Sequence, residues 1–130
     1  MNKKPSPSMD QWLKEAKAHE SAKNIGMYLT HNGVVRQTSR ATAREGKVDA
    51  PVTDMIFGYD PAKVEAVVAD AYKMEGIHYV RVWLNEGELN VGDDIMYVLI
   101  GGDTRPHVVD CLQETVGARK NRCVTEQELQ

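Results

Sequence analysis

The fold is decided by residues 86–100, which read EGELNVGDDIMYVLI. The alternating run Ile77–Leu84 precedes this stretch, Gly87 and Gly92 each place a turn within it, and the apolar run at its end stops at a Gly-Gly pair. Two apolar runs joined by a short connection that contains glycine are typical of paired strands. We therefore predict two central strands, around which the rest of the chain is organised.

The first central strand has two different faces. Val80, Val82 and Leu84 share one face, which is apolar and suits a core. Tyr79 and Trp83 share the opposite face with Arg81. Because large aromatic side chains are enriched at subunit interfaces, we predict that this second face forms the contact of a homodimer.

Two helices are predicted before these strands. Ser8 and Gln11 have the spacing of a capping box, so the first helix is expected to run from there to about residue 22. Asp60-Pro61 is expected to begin the second helix, which ends near Gly76. The apolar stripe of the second helix consists of Val64, Val67, Val68, Ala71 and Met74.

A third helix is predicted after the second central strand. Thr104 or Asp103 is expected to cap it, with Pro106 in its first turn. Its apolar stripe consists of Val108, Val109, Leu112 and Val116, and Lys120 continues that stripe.

Further strands are expected at residues 24–30 and 52–59, and His31-Asn32-Gly33 is expected to break the first of them. This order predicts an α+β domain, in which helices pack on one side of a mixed, largely antiparallel sheet.

Composition limits the class of protein. The 130 residues suit one domain, with residues 1–7 as a disordered tail and residues 8–130 as the folded unit. A net charge of −3 argues against a dedicated nucleic-acid binder, and no apolar run approaches the ~20 residues of a membrane span. The N-terminus lacks the apolar core of a signal peptide, so a cytoplasmic location is expected.

Metal and cofactor motifs are missing from the sequence. Cys111 and Cys123 fit no metal spacing and are expected to be buried or idle thiols, and the four histidines are scattered. No phosphate-binding loop, dinucleotide fingerprint or nucleophile elbow is present, so neither a metal nor a bound cofactor is expected.

The candidate functional residues are cationic. Residues 37–47 form either a solvated loop or a cationic flap over an anionic ligand. Arg105 lies at a predicted helix N-terminus, which favours anions. Lys120 lies about 22 Å further along that helix, where a dipole partner is the simpler interpretation. Arg105 and Lys120 of one chain therefore cannot both contact one small ligand unless the helix is shorter or bends. A site shared between subunits, or a long ligand, would also reconcile the two residues.

Several segments together resemble a known family. Gly33-Val34-Val35-Arg36 is similar to the Gly-Lys-Val-Arg segment of the molybdopterin synthase large, catalytic subunit, the MoaE family. Residues 86–95 resemble that family's Gly-Glu-Leu-x-x-Gly-Asp-Glu-Ile segment, and Thr104-Arg105 falls where the family has His-Arg. Lys120, fifteen residues after Arg105, matches the position of the family's catalytic lysine. The resemblance covers about residues 25–120.

This resemblance implies an α/β-hammerhead fold and a homodimer. It implies that a small ubiquitin-like sulfur-carrier subunit with a C-terminal Gly-Gly docks on each copy to give a heterotetramer. The implied reaction transfers sulfur from the carrier's thiocarboxylate to cyclic pyranopterin monophosphate, which makes molybdopterin. Lys120 is then the catalytic residue, and the residues that bind substrate are Val35, Arg36, Thr104, Arg105 and Gln127.

The sequence departs from the family pattern at informative places. Leu84-Asn85 replaces the family's His-Arg, Thr104 replaces a histidine, and Gln127 stands where the family has a second lysine. Three hypotheses follow: an active synthase subunit, a non-catalytic dimeric homologue that binds a carrier or pterin, and an unrelated module that binds phosphate or RNA.

Overall fold

The computed structural model describes residues 3–37, 54–118 and 124–129. The described residues form an α+β domain, as predicted. Its helices are α1 (Met9–Ala18), α2 (Pro61–Tyr72) and α3 (Arg105–Ala118), with a short 3-10 helix at Glu20–Asn24. Its strands are β1 (Met27–Val34), β2 (Asp54–Tyr59), β3 (Ile77–Leu84), β4 (Gly87–Asn90), β5 (Asp94–Gly102) and β6 (Val124–Leu129).

The strands form two antiparallel sheets of three strands each, with the orders β1-β5-β3 and β4-β2-β6. The two predicted central strands are β3 and β5, which are neighbours. Their connection is not the tight one predicted, because β4 leaves the first sheet and pairs with β2 in the second. Gly87 and Gly92 adopt φ values of +87° and +93°, a conformation that glycine reaches without steric cost. They allow the chain to leave the first sheet and return to it.

Both faces of β5 are buried. Val98 and Ile100 belong to the main core with α2 and α3, whereas Leu99 packs with Trp12 and Ala16 of α1. All three β5 side chains are 0% exposed. The prediction that the helices lie on one side of the sheet is therefore wrong, because a strand that is apolar on both faces needs cover on both.

Helix α1 also covers the aromatic face of β3. Tyr79 and Trp83 pack against the Trp12 cluster, and the Arg81 guanidinium lies 4.4 Å from the centroid of the Trp12 ring. This face was predicted to be the homodimer contact. In the structure these aromatic side chains already have partners within the same chain, so their burial needs no second copy, and the homodimer contact stays a prediction.

The helix caps follow the sequence closely. The Ser8 hydroxyl accepts a hydrogen bond from the Gln11 amide, and the Asp60 carboxylate accepts one from the Ala62 amide. The first helix ends at Ala18 rather than near residue 22, because His19 is extended and caps the following 3-10 helix.

Strand β1 does not break at Gly33, contrary to the prediction. Gly33 pairs with Met96, and a Cβ atom at Gly33 would lie 2.9 Å from the Met96 Cγ atom. The glycine therefore permits close packing of the strand and does not end it.

Within the described residues, no helix is long and apolar enough to cross a membrane. Most of the loop predicted at residues 37–47 lies outside the described residues. Residues 3–6, part of the expected disordered tail, hydrogen bond with the folded unit, and the Lys4 amide donates to the Asn85 side-chain oxygen at 2.7 Å.

Candidate functional site

Val35 and Arg36 follow the end of β1 and lie beside the turn that joins β4 to β5. The Val35 amide donates to the Asp93 carbonyl at 3.0 Å, and the Val35 carbonyl accepts from the Gly92 amide at 2.8 Å. Val35 is 2% exposed, whereas Arg36 is exposed. The turn thus fixes the backbone from which Arg36 extends.

Two carboxylates lie at this same turn. A hydrogen bond from the Lys3 ammonium, followed by one from the Asn90 amide, lowers the pKa of Asp93. Partial burial opposes ionisation of Asp94, but hydrogen bonds from Ser6, Asn32 and Tyr97 lower its pKa overall. Both side chains therefore remain ionised at neutral pH.

Thr104 and Arg105 lie at the opposite end of β5. Val34 pairs with Asp94 at one end of this strand, and Met27 pairs with Gly102 at the other. The nine residues from Asp94 to Gly102 span about 27 Å of extended chain. One chain therefore does not bring Arg36 and Arg105 together.

Thr104 directly precedes α3, and its carbonyl accepts a hydrogen bond from the Val108 amide at 3.2 Å. The Thr104 amide donates to the Asp103 carboxylate at 2.6 Å. Both Thr104 and Arg105 are exposed, so the Arg105 guanidinium is accessible beside a helix N-terminus.

His107 forms a charged cluster with Asp103 at this end. The His107 Nδ1 atom lies 2.7 Å from an Asp103 carboxylate oxygen, and Nε2 lies 3.5 Å from a Glu75 oxygen. The hydrogen bond with Asp103 raises the pKa of His107, and the hydrogen bond with His107 lowers the pKa of Asp103. Sequence reasoning treated His107 as an isolated histidine. The i, i+4 spacing of the two residues on a predicted helix was the available signal.

Two contacts with β5 show in which direction α3 runs. Val108 lies near Gly102, because a Cβ atom at Gly102 would be 2.7 Å from the Val108 Cγ2 atom. Thr115 lines an apolar crevice with Met96, near the opposite end of β5. Helix α3 therefore runs antiparallel to β5 and ends, at Ala118, towards the end of the molecule that carries Arg36.

The two remaining predicted site residues follow α3 in sequence. Lys120 lies outside the described residues. Gln127 belongs to β6 and pairs with Ile56 of β2, which in turn pairs with Glu88 of β4. Because β4 leads into the turn beside Val35, the Gln127 backbone belongs to the sheet at the Arg36 end.

The described part of the chain holds no group of three or more His, Cys, Asp or Glu side chains placed to bind a metal ion. Cys111 is buried, as predicted, and burial raises the pKa of its thiol. Cys123 lies outside the described residues.

The chain is similar to one known protein family and to several solved structures. The family model described as MoaE protein matches residues 8–122. A molybdopterin synthase structure from Staphylococcus aureus superposes with a TM-score of 0.73 at 12% identity, covering 95% of this chain and 85% of that chain. A molybdopterin cofactor biosynthesis protein E from Burkholderia multivorans gives 0.72 at 16% identity, covering 97% and 79%.

A third similar structure contains two kinds of chain. It is a complex of subunits 1 and 2 of molybdopterin-converting factor from Helicobacter pylori, with a TM-score of 0.66, 16% identity and coverage of 95% of this chain and 80% of that chain. None of the curated proteins compared with the chain matches it. At these identities the structural likeness establishes the fold, and the family match covers most of the chain.

Proposed function

Since the chain belongs to the MoaE protein family, we propose that it is the large, catalytic subunit of a molybdopterin synthase. It accepts sulfur from the C-terminal thiocarboxylate of a small carrier subunit. It delivers that sulfur to cyclic pyranopterin monophosphate, and the carrier terminus becomes a carboxylate whose new oxygen comes from water. Two such transfers supply the two sulfur atoms of the dithiolene, and the product is molybdopterin.

The observation that supports this proposal is the distance between the two arginines of the candidate site. Arg36 and Arg105 lie beyond opposite ends of β5, about 27 Å of strand apart. A pterin monophosphate is much shorter than this distance. A complete site therefore needs Arg36 from one copy and Arg105 from a second copy, which favours a symmetric homodimer with two shared sites.

The charged and the neutral side chains of the proposed site have different roles. Arg36 and Arg105 bind the anionic groups of the substrate, since guanidinium groups suit phosphate and carboxylate geometry. The buried Val35 fixes the backbone beside Arg36, and Thr104 and Gln127 contribute neutral hydrogen-bonding groups. Lys120 contacts the thiocarboxylate or transfers a proton, as a lysine does when partial burial lowers its pKa.

The carrier is the partner that this reaction requires. The Helicobacter pylori structure, a complex of two different subunits of molybdopterin-converting factor, shows that a related fold binds a second chain. We propose that a ubiquitin-like carrier with a C-terminal Gly-Gly docks on each copy, giving a heterotetramer.

The direct experiment is conversion of the cyclic pterin monophosphate by the purified protein with thiocarboxylated carrier. We expect product to form in proportion to the thiocarboxylate consumed. The matched control is the same carrier with an ordinary carboxylate terminus, which gives no product. No product with the protein's own thiocarboxylated carrier would overturn the proposed activity.

A second candidate is a non-catalytic homologue that binds the carrier or the pterin. The observation that favours it is the loss of ionisable groups, because Thr104 and Gln127 replace a histidine and a lysine of the family pattern. Calorimetric binding of carrier or pterin without turnover would support this candidate over the synthase.

A further inference from the structure

The N-terminal residues 3–6 line one side of an open surface pocket. Asn85 and residues 92–94 of the turn between β4 and β5 form the rest of its lining. The Lys4 amide donates to the side-chain oxygen of Asn85 at 2.7 Å, and Asn85 is 2% exposed. The Asn85 side-chain nitrogen donates in turn to the Asp94 carbonyl at 2.9 Å. A buried amide thus joins the N-terminal segment to the start of β5.

Side-chain contacts reinforce this backbone anchor. The Lys4 ammonium donates to the Tyr59 hydroxyl at 2.7 Å. It also lies 4.7 Å from the centroid of the Tyr59 ring and 5.5 Å from that of the Trp83 ring. Tyr59 belongs to β2 and Trp83 to β3, so Lys4 connects the two sheets. Contacts of an ammonium with aromatic faces are favourable, more so for tryptophan and tyrosine than for phenylalanine.

Lys3 and Ser6 hold the carboxylates of the turn. The Lys3 ammonium contacts Asp93 at 2.8 Å and the Asn90 side-chain oxygen at 3.2 Å. The Ser6 hydroxyl donates to Asp94 at 2.5 Å. The N-terminal segment therefore supplies one cation and one hydroxyl donor to the turn formed by residues 90–94.

The same turn fixes the backbone beside Arg36. Asp93 accepts the Val35 amide through its carbonyl, while its side chain binds Lys3. Gly92 donates its amide to Val35. One residue, Asp93, thus links the N-terminal segment directly to the segment that carries Arg36.

We propose that residues 3–6 form a latch that positions Arg36 through the turn of residues 90–94. Lys3 and Lys4 are positioning residues. Lys3 also neutralises the Asp93 carboxylate, which would otherwise repel an anion that approaches Arg36. The importance of this latch for substrate binding rests on the proposed function, whereas its effect on the turn does not.

The effect on the turn is tested by hydrogen exchange of the full-length protein. Replacing both lysines, Lys3→Met with Lys4→Met, removes the charges and keeps the length of the side chains. We expect the Val35 and Gly92 amides to exchange about two- to fivefold faster, the size expected when one or two exposed charged contacts are lost. The Leu99 and Ile100 amides in the centre of β5 should not change. Unchanged exchange at Val35 and Gly92 would overturn the proposal.

Two further variants separate the latch from an unspecific loss of charge. Lys3→Arg with Lys4→Arg keeps the cations and should restore slow exchange. Lys73→Met removes an exposed lysine that pairs with Asp70 at the end of α2, and it should leave the turn unaffected. Failure of the arginine variant to restore protection, or an equal effect of Lys73→Met, would contradict the proposal.

The readout in the synthase assay is a difference between KM and kcat. In the double methionine variant, we expect KM for the pterin substrate to rise about two- to fivefold with little change in kcat, because only binding is weakened. An unchanged KM would refute the role in substrate binding. The wild-type protein could form no product and still exchange its Val35 and Gly92 amides more slowly than the double methionine variant. That result would overturn the proposed synthase activity and support the latch.

Discussion

At the residue scale, the Asp103–His107 pair has a charge state that depends on pH. The folded pKa of His107 lies above its ordinary value of 6.5, so its stabilisation is fully present below about pH 6.5 and is lost as pH rises through the folded pKa. The folded pKa of Asp103 lies below 3.8, so its stabilisation is present above that value and is lost as pH falls. The pair therefore stabilises the fold most at mildly acidic pH.

This charge state gives a prediction for His107→Gln. The variant should lose more free energy of unfolding at about pH 5.5 than at about pH 8.5, because only the acidic condition keeps the imidazolium of the wild type. Urea denaturation at the two pH values measures the difference. An equal loss at both pH values would mean that the ionised pair contributes nothing to stability.

Lys120 carries the second prediction at this scale. If it transfers a proton, both Lys120→Ala and Lys120→Arg should abolish product formation with the fold intact, because a guanidinium keeps its proton near neutral pH. If it only complements the helix dipole, Lys120→Arg should be silent and Lys120→Ala should cost well under ~1 kcal/mol of stability. The measurement is pterin conversion together with circular dichroism. An active arginine variant would exclude proton transfer by Lys120.

Individual residues differ in how far the sequence reveals them. Ser8 and Asp60 were predictable as caps, because capping depends on neighbours within three residues. Asn85 was not, because its importance comes from contacts with Lys4 and Asp94 and from a burial that local sequence does not encode. Polar residues that organise a tertiary contact leave little periodic signal in a sequence.

At the element scale, α1 has the least expected position. Its apolar residues are few, yet Trp12 is 5% exposed and Ala16 is 0% exposed. The cap of this helix was predictable from the sequence, but the face of the sheet that the helix covers was not. The aromatic face of β3 was consequently assigned to a subunit interface.

This packing predicts a large effect of Trp12→Ala. Removing a buried tryptophan side chain typically costs about 3–5 kcal/mol, so we expect a loss of at least ~3 kcal/mol in the free energy of unfolding. The exposed Lys14→Ala, on the same helix, should stay within about 0.5 kcal/mol. Urea denaturation measures both. A small effect of Trp12→Ala, together with loss of a dimer in light scattering, would instead return this face to a subunit contact.

The pairing of the strands could not be predicted from local sequence. The turns at Gly87 and Gly92 were predicted, and both glycines have positive φ. The sequence did not show that the residues between them pair with β2 of another sheet. Local turn chemistry specifies where the chain bends, whereas the pairing partner depends on contacts that are distant in sequence.

At the scale of the whole molecule, the candidate site is divided between two ends. The family pattern identified Arg36 and Arg105 by sequence, but only the register of β1 on β5 shows how far apart they lie. The inference that the site is shared follows from this distance. In the proposed dimer, each site takes one arginine from each of two copies of the chain.

Mixing two inactive variants tests this central claim most directly. Arg36→Ala and Arg105→Ala should each abolish pterin conversion. If the copies exchange at random, half of the dimers contain one of each variant, and each such dimer has one intact site of two. The mixture should therefore recover about a quarter of the wild-type rate. A mixture as inactive as either variant alone, under conditions where subunit exchange is verified, would contradict the shared site.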